Sequence, residues 1–415
     1  MTLHMRLLVA LQVIFLAFGN NAQAKTIRVP AKEPTIQAGI NAAEDGDVVI
    51  VAPGTYFENI DFLGKAITVK SSSGPKVTII DGGHLNSVVT FDTNEGPDSV
   101  LHGFTIQNGE ATYTSSYQGG GIRVNSASPT ITGNVITNNL TVASGGGIQL
   151  SFSNSLVQGN TISNNSEAPG YSGGDGGGLE VGGVGSAQII GNVIENNTMD
   201  SGNGGGISLF AAGTPTLMNN IIAGNVAKGL SNGSQGGGIY IVNDSDALIA
   251  QNLLYNNNAG QGAEIYFGVP YESRGPLLVN NTIVGTATST LGSAVYADGY
   301  YDQVYFYNNL MIGASGTTAL YCDNTYDAIP PTLLNNDGYS ATGTGFGGAC
   351  STQSGNGGNI SADPKFSSKT TFRLTAKSPA VNSGDNSAPD IPAEDLAGKP
   401  RIVNGTVDMG AYEFQ

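Results

Sequence analysis

Five triple glycines, each followed by an aliphatic residue, divide the middle of this chain into segments of similar length. They begin at Gly119, Gly145, Gly176, Gly204 and Gly236, at intervals of 26, 31, 28 and 32 residues. A repeat of this period is typical of a solenoid, in which each repeat packs on its neighbours. Because equivalent residues of successive coils then lie side by side, the repeat also predicts straight columns of surface side chains.

Single asparagines support the same period. They recur every 26 to 32 residues, at Asn134, Asn160, Asn192, Asn220, Asn252, Asn281 and Asn309. Between these asparagines, apolar residues alternate with other residues over short runs, a pattern that indicates strands rather than helices. Each repeat is therefore predicted to contain three short strands and three turns, with the asparagine side chains hydrogen bonded from coil to coil as amide ladders.

The first 24 residues have the features of a secretory signal. His4 and Arg6 form a weakly basic start, residues 7–18 are apolar, and residues 22–24 provide small side chains for cleavage. No cysteine stands at the cleavage site, so a lipid anchor is not expected. The mature chain is predicted to be a soluble periplasmic or extracellular protein.

The net charge of −16 argues against nucleic acid and anionic membranes as partners, because both require clustered basic residues. The acidity is also explained by solubility alone. The basic residues between positions 84 and 362 are His84, His102, Arg123, Lys228 and Arg274. A polyanionic substrate would therefore need help from a cation.

The two cysteines, Cys322 and Cys350, lie 28 residues apart, which is about one repeat. In an oxidising compartment this spacing predicts a disulfide.

The chain outside the glycine repeats is predicted to close the two ends of the solenoid. A strand at 26–29 precedes a short amphipathic helix at 34–43, a buried strand at 48–51 and a turn at 53–56. The predicted organisation is a signal peptide at 1–24, an N-terminal cap and first coils at 25–85, regular repeats at 86–325, a Gly/Asn/Ser-rich loop at 326–360, and a closing coil and cap at 361–415. Capped ends do not stack on one another, so we expect a monomer.

Two segments carry a resemblance to a known family. Residues 35–60 read TIQAGINAAEDGDVVIVAPGTYFENI, and the tail contains SPAVNSGD and EDLAGKPRIVNGTVDMGAYEFQ. Both resemble secreted right-handed parallel β-helix proteins of the pectin-lyase-like superfamily. The resemblance implies an all-β, right-handed parallel β-helix of roughly ten coils with an N-terminal helix cap. It implies less about activity, because the superfamily includes polysaccharide lyases, hydrolases, epimerases and adhesins.

One column of outward side chains is expected on the strands that follow the glycines. Its members are Arg123, Gln149, Glu180, Ser208, Tyr240, Tyr266, Tyr296 and Tyr321, with neighbours about 4.8 Å apart. The four tyrosines are a candidate platform for carbohydrate, because sugar rings lie on aromatic faces and phenols bond sugar hydroxyls. Stacking between coils, which stabilises a sheet, is the alternative interpretation.

A groove is expected beside this column. The residue before each inward aliphatic is a glycine in the five triplets and then Glu264, Ala294 and Ala319. If these residues point outward, they leave a shallow furrow like the groove of pectate-lyase-like enzymes, with Glu264 as a substrate-binding residue. Alternatively, the glycines only permit a tight turn.

Glu180 and Arg123 are the candidate catalytic residues. Two coils separate them, which corresponds to about 10 Å, so they cannot act as an adjacent pair. Asp175, Asp200 or Glu195 on adjoining turns could partner Glu180. The lack of a nearby lysine, histidine or second arginine departs from the pectate lyase pattern.

An acidic series in the turns after this strand is a candidate calcium site. The predicted ligands are Asp244, Asp246, Asp298 and Asp302, with Glu272, Asp323 and Asp327 in the same series. Stacked carboxylates repel one another unless they are protonated, spread apart or bridged, and Ca²⁺ prefers oxygen ligands. A solvated acidic edge, offset by Arg274, is the alternative.

Together these features predict a secreted carbohydrate-active protein, most simply a polysaccharide lyase or glycoside hydrolase acting along the groove, with Ca²⁺ as the only candidate cofactor. The alternative is a non-catalytic extracellular or cell-surface protein of adhesin type that binds carbohydrate on the same column.

Overall fold

The computed structural model describes residues 24–111, 119–229, 233–269, 274–289, 291–299, 304–325 and 329–415. Successive turns of the chain add one strand to each of three long parallel sheets. The predicted all-β, right-handed parallel β-helix of about 10 turns is confirmed. The predicted signal peptide lies outside the described residues apart from Ala24. No helix in the described ranges is long and apolar enough to span a membrane.

Each sheet collects equivalent strands of successive coils. Sheet 1 contains Thr26–Val29, Val48–Val51, Thr68–Ser71, Val100–His102, Thr130–Thr132, Leu156–Gln158, Gln188–Ile190, Thr216–Met218, Leu248–Ala250, Leu277–Val279, Tyr305–Tyr307 and Thr332–Leu334. Sheet 2 contains Ile60–Asp61, Val89–Phe91, Ile122–Asn125, Ile148–Ser151, Leu179–Gly182, Ile207–Phe210, Ile239–Val242, Ile265–Gly268, Val295–Gly299, Thr318–Cys322 and Thr344–Gly348. Sheet 3 contains Gly54–Phe57, Thr78–Asp81, Thr105–Gln107, Val135–Thr137, Thr161–Ser163, Val193–Glu195, Ile221–Ala223, Leu253–Tyr255, Thr282–Val284, Leu310–Gly313 and Asp337–Ser340.

The remaining strands form two smaller sheets. A four-stranded sheet beside sheet 3 contains Leu140–Thr141, Ser166–Glu167, Thr198–Met199 and Val226–Ala227. An antiparallel hairpin near the C-terminus pairs Ile402–Val403 with Thr406–Val407.

The core follows from the alternation of side chains along each strand. In sheet 2, for example, Ile148 and Leu150 point inward and are fully buried, as are Leu179 and Ile207 on the next coils. Burial of each such side chain contributes about 1.5–3 kcal/mol before the entropy of folding is counted. The stack of aliphatic residues is therefore the main stabilising feature of the solenoid.

Two asparagine ladders run through the buried turns. The first comprises Asn134, Asn160, Asn192, Asn220, Asn252, Asn281, Asn309, Asn336 and Asn359. The second comprises Asn139, Asn165, Asn197, Asn225 and Asn257. Asn192, for example, donates from Nδ2 to Val157 O at 2.9 Å and to Asn220 Oδ1 at 3.1 Å. Each amide thus satisfies backbone groups that burial would otherwise leave unpaired.

The N-terminal cap contains helix α1, Ile36–Ala42, where the sequence predicts a helix at 34–43. Thr35 Oγ1 accepts a hydrogen bond from Ala38 N at 3.0 Å, which caps the helix. Ile36 and Ile40 are buried against the first strands. The prediction of a turn at 53–56 is wrong, because Gly54–Phe57 forms the first strand of sheet 3.

The prediction of a loop at 326–360 is also wrong for the part of this region that the structure describes. The described part of this region contains strands Thr332–Leu334, Asp337–Ser340 and Thr344–Gly348, so it forms one further coil. Its glycines and serines hide the repeat because few aliphatic residues mark it. A disulfide joins Cys322 to Cys350 at the end of this coil.

The C-terminal segment, residues 361–415, does not form the closing coil that the sequence suggests. It lies along the flank of the solenoid, where four amide side chains of successive coils donate to its backbone carbonyls. The pairs are Gln251 with Glu394, Asn280 with Asp408, Asn308 with Asp385, and Asn335 with Ser383. Apolar side chains of the segment, including Met409 and Tyr412, pack on the outer faces of Leu310 and Leu253. We call this segment the C-terminal strap.

Candidate functional site

The outward column of sheet 2 is formed by strands paired in parallel register. Along it, Arg123, Gln149, Glu180, Ser208, Tyr240, Tyr266, Tyr296 and Tyr321 follow one another, and Asp61 and Thr90 precede them. Polar and acidic side chains therefore occupy one part of the column and stacked tyrosines the other.

Glu180 lies at the centre of the polar part and is half-buried. Its Oε2 accepts a hydrogen bond of 3.1 Å from Gln149 Nε2 on the preceding coil. A Cβ at Gly182 would lie 2.9 Å from Glu180 Oε1, so the glycine leaves room for the carboxyl. Burial raises the pKa of Glu180 to about 7, assisted by the charge of Asp175 and opposed by the Gln149 hydrogen bond.

Asp175 precedes the glycine triplet of the same coil and supplies a second carboxyl. Its Oδ1 accepts a hydrogen bond of 2.7 Å from Asn203 N. Burial raises the pKa of Asp175 to about 6, and the charge of Glu167 adds to the effect, while the bonds from Asn203 oppose it. Gly176, which follows Asp175, has a φ of 76°, a conformation that favours glycine and turns the chain towards Glu180.

A cavity of about 320 Å³ opens beside Asp175. It is lined by Gly173, Gly174, Asp175, Ser201, Gly202, Asn203, Gly233 and Gln235. Because the four glycines have no side chains, the cavity is bounded mainly by their backbone and by small polar side chains. Its volume is at the lower end of the range of about 300–1,000 Å³ that is usual for small-molecule sites.

Two buried polar atoms beside Glu180 have no hydrogen-bond partner among the described residues. Gln149 Oε1 belongs to a side chain that is 1% exposed, and Ser208 Oγ to one that is 0% exposed. Buried polar atoms without partners are uncommon in native structures and indicate a place for a ligand or water. Gln149 and Ser208 flank Glu180 in the column, so both side chains lie on the strands next to that of Glu180.

The four tyrosine rings of the column stack on one another, so each inner ring is covered by its neighbours on both faces. Ring centroids are 5.6 Å apart for Tyr240 and Tyr266, 5.7 Å for Tyr266 and Tyr296, and 5.3 Å for Tyr296 and Tyr321. Tyr266 and Tyr296 are 4% and 5% exposed. Tyr266 and Tyr296 therefore cannot serve as the predicted carbohydrate platform, because stacking covers their ring faces. Tyr240 and Tyr321, at the two ends of the stack, are half-buried.

The phenols of the two inner tyrosines are also engaged. Tyr266 donates to Asp298, and Tyr296 Oη donates to Asp323 Oδ2 at 2.9 Å. Each acceptor lies two residues beyond the tyrosine of the following coil. At the equivalent place for Tyr240 stands Gly268, which has no side chain. Tyr240 has no hydrogen bond to any described residue through its phenol, and burial raises its pKa to about 12.

The furrow expected along the third glycines does not exist. A Cβ at Gly121 would meet Gly147 O at 2.6 Å, Asn139 Nδ2 at 2.8 Å and Ile136 Cγ2 at 2.9 Å, so this position faces the interior. Glu264 at the equivalent place is 0% exposed and accepts a hydrogen bond from Asn257 N at 3.2 Å. Glu264 therefore ends the second asparagine ladder and cannot contact substrate. Side chains alternate only once the strand has begun, and these residues precede it.

Arg123 lies two coils from Glu180, with Gln149 between them in register. Its Nη1 is 3.2 Å from Asp92 Oδ2, and its buried Nε has no partner among the described residues. Arg123, Asp92, Asp61 and Thr90 help to line a separate cavity of about 290 Å³. The structure therefore does not bring Arg123 and Glu180 together.

Of the three acids considered as partners of Glu180, Asp175 is the one whose charge acts on the Glu180 carboxyl. Asp200 is exposed and lies 2.6 Å from Lys228 Nζ through its Oδ1. Glu195 is on a strand of sheet 3, on another face of the solenoid. Asp175 stands outside the alternating strand, so only the folded turn reveals its position.

The predicted calcium ligands do not converge in the described part of the chain. No group of three or more His, Cys, Asp or Glu side chains that could hold a metal ion is present among those residues. Asp244 is exposed, Asp246 accepts from Gly275 N at 2.7 Å, and Asp298 accepts from Tyr266. Asp302, Glu272 and Asp327 lie outside the described residues. The described residues of this series do not form a calcium site by themselves, and binding of Ca²⁺ to the whole series stays a prediction.

Comparison with known proteins identifies the architecture. A family model described as "Right handed beta helix region" matches residues 66–235 and 121–311, which together span more than half of the chain. The crystal structure of pectate lyase Pel9A is similar, with 15% identity, a TM-score of 0.50, and coverage of 94% of this chain and 97% of that chain. The structure of XylC in complex with xylose is similar as well, with 11% identity, a TM-score of 0.54, and coverage of 91% and 95%. No curated protein matches the sequence significantly.

Proposed function

The chain belongs to the right-handed β-helix family, and on that premise we propose that it is a secreted protein that hydrolyses an extracellular polysaccharide with Asp175 and Glu180. The observation that carries the proposal is a set of two half-buried carboxyls on one coil: Asp175 lines an open cavity, Glu180 is close enough for the charge of Asp175 to raise its pKa, and their pKa values are about 6 and about 7. Pairs of carboxyls whose pKa values are raised and separated are typical of acid–base catalysis.

The roles follow from the two pKa values. Glu180 retains its proton at a higher pH than Asp175 does, so it is the general acid that protonates the departing glycosidic oxygen. Asp175 is ionised first and takes a proton from the attacking water, whose oxygen bonds to the anomeric carbon as the glycosidic bond breaks. Each turnover consumes one water molecule and leaves Glu180 ionised and Asp175 protonated; loss of a proton from Asp175 to solvent and uptake of one by Glu180 restore the starting states.

Other features support a carbohydrate ligand. The proteins of similar structure include a pectate lyase and a protein crystallised with xylose. Tyr240 is half-buried, lies two coils from Glu180, and has a phenol that bonds no described residue. The Cys322–Cys350 disulfide suits an oxidising compartment outside the cytoplasm, in agreement with the signal peptide predicted at residues 1–24.

Hydrolysis explains the site better than β-elimination does. A lyase acting on a uronate needs a base near the sugar and positive charge near its carboxylate. Arg123 is the nearest arginine in the column, and it is two coils away and paired with Asp92. We therefore assign Arg123 to the cavity that it shares with Asp61, where it can contact a distal part of a long polymer, and not to the reacting bond.

The direct test is incubation of the purified mature protein with a polysaccharide panel, with added Ca²⁺ or with chelator. New reducing ends without absorbance from unsaturated products, lost in Glu180→Gln, support hydrolysis. Unsaturated products would contradict it and establish a lyase. Activity that chelator removes would restore the calcium proposal. Binding without cleavage would favour the non-catalytic alternative.

A further inference from the structure

We propose that the Asp175–Glu180 site selects an uncharged glycan and rejects polyuronates. The inference rests on the proposed function, because it concerns the same site, but it is a statement about binding and can be tested without turnover. It follows from which charges line the site and from which polar atoms remain without partners.

The charge of the site is negative and is not offset locally. No lysine, arginine or histidine is among the residues that line the cavity beside Asp175. The nearby cations of the described chain are engaged elsewhere: Lys228 with Asp200 at 2.6 Å, and Arg123 with Asp92 at 3.2 Å. A uronate carboxylate in this cavity would therefore meet like charge without a compensating partner.

The unpaired polar atoms suit hydroxyl groups. Gln149 Oε1 is a buried acceptor that can be satisfied only by a donor, and a carboxylate has no proton to donate. Ser208 Oγ and the Tyr240 phenol can each donate or accept. A sugar hydroxyl both donates and accepts, so it can bond the half-buried Tyr240 phenol and the oxygens of Asp175, whereas Gln149 Oε1 and Ser208 Oγ are accessible only to water or after a side-chain movement.

The contrast with the other cavity strengthens the assignment. Among the described residues of the outward column Arg123 is the only basic one, and its charge is shared with Asp92 beside Asp61. No part of the described column therefore presents an unshared positive charge to a polymer lying along sheet 2. The selection against acidic glycans is expected to extend over the whole length of the column.

The test uses one polymer in two charge states. Polygalacturonate and its carboxyl-reduced counterpart share backbone and linkages, and neutral xylan, glucan and mannan extend the panel. Binding to the full mature chain is measured by affinity electrophoresis and calorimetry, with reducing ends recorded separately. We expect binding of at least one neutral polymer and weaker binding of every acidic polymer than of its neutral counterpart. Tighter binding of polygalacturonate than of its reduced form, or no binding to any neutral polymer, would overturn the proposal.

A variant isolates the charge effect. Asp175→Asn removes one negative charge with little change in shape, and is expected to reduce the discrimination against polygalacturonate by about threefold to tenfold, the effect of one charge at partly screened distance. Glu195→Gln removes a charge from sheet 3 and should leave the discrimination unchanged. Equal effects of the two variants would show that net charge, not this site, excludes acidic polymers. If binding follows the expectation and no reducing ends appear, the hydrolase proposal fails while this one stands.

Discussion

Gln149 Nε2 and Glu180 Oε2, which belong to neighbouring coils, are joined by a hydrogen bond of 3.1 Å. The amide stabilises the ionised form of the carboxyl and so opposes the effect of burial on its pKa. A residue of one coil thus adjusts the acidity of a residue of the next. Such tuning across coils is possible because the parallel register places equivalent side chains side by side.

Glu180→Gln and Asp175→Asn are each expected to lower kcat/KM by at least about 100-fold, because general acid–base groups contribute on the order of 10²–10⁴ to rate. Reducing-end assays measure the loss, and circular dichroism checks that the fold is kept. Glu195→Gln, on sheet 3, is the matched control and should retain activity. Full activity in Glu180→Gln would remove Glu180 from the mechanism.

The rate of hydrolysis should be greatest between about pH 6 and pH 7. Asp175, with a pKa of about 6, must be ionised, and Glu180, with a pKa of about 7, must be protonated. Gln149→Leu removes the bond that favours the ionised form of Glu180, so the alkaline limb of the pH profile should move to higher pH. Gln149 is thus a positioning residue. A fall in rate without any shift of that limb would indicate a purely structural role.

The free energy of unfolding should decrease as the pH rises from about 4 to about 7. Asp175, Glu180, Asp337 and Glu413 have folded-state pKa values of about 6, 7, 7 and 7, above those of unfolded carboxyls. The folded state therefore binds more protons over this range, and the stability that these protons provide is lost as the groups ionise. Urea unfolding at pH 5 and pH 8 measures the difference. Asp337→Asn should flatten the dependence, and a rising curve would contradict the assignment.

Asn192→Ala should destabilise the protein by about 3 kcal/mol or more. Asn192 is 1% exposed, accepts from both nitrogens of Asn160, and donates to Val157 O and Asn220 Oδ1. The substitution leaves several buried groups unpaired, each at a cost of about 1–3 kcal/mol. The control is Asn196→Gly, an exposed position with a φ of 57°, which should change stability little. Denaturant unfolding compares the two.

Tyr240→Phe should weaken glycan binding while leaving stability nearly unchanged, because its phenol bonds no described residue. Tyr296→Phe should do the reverse, since it removes the 2.9 Å bond to Asp323 in a covered part of the stack. A loss of about 0.5–1.5 kcal/mol of stability is expected for Tyr296→Phe. Affinity electrophoresis and thermal unfolding of both variants provide the comparison, and equal binding losses would argue against a special role for Tyr240.

The repeat of glycines and asparagines was sufficient to predict the fold and the order of the outward column, because strand alternation and coil period depend on local chemistry. Strand alternation wrongly predicted that Gly121 and Glu264 point outward, because both residues precede their strands and face the buried asparagine ladder. Alternation also could not single out Asp175 from Asp200 and Glu195 as the partner of Glu180, since a turn and not a strand positions the Asp175 carboxyl.

Longer-range features were beyond the sequence pattern for a different reason. Nothing in the order of the tyrosines distinguishes Tyr240 from Tyr296; the distinction depends on whether Gly268 or an aspartate lies beside the phenol on the next coil. Similarly, Asn280 and Asn308 resemble ordinary turn residues, and only the folded chain shows that they hold the C-terminal strap.

The C-terminal strap changes how this solenoid can come apart. Coils of a simple repeat protein depend only on their neighbours and can open or form one at a time. Here the hydrogen bonds from Gln251 and Asn280 reach residues 143 and 128 positions further along the chain. Four successive coils are therefore bound to a segment that is synthesised after all of them, so these coils reach their full resistance to unravelling and proteolysis only once that segment has docked.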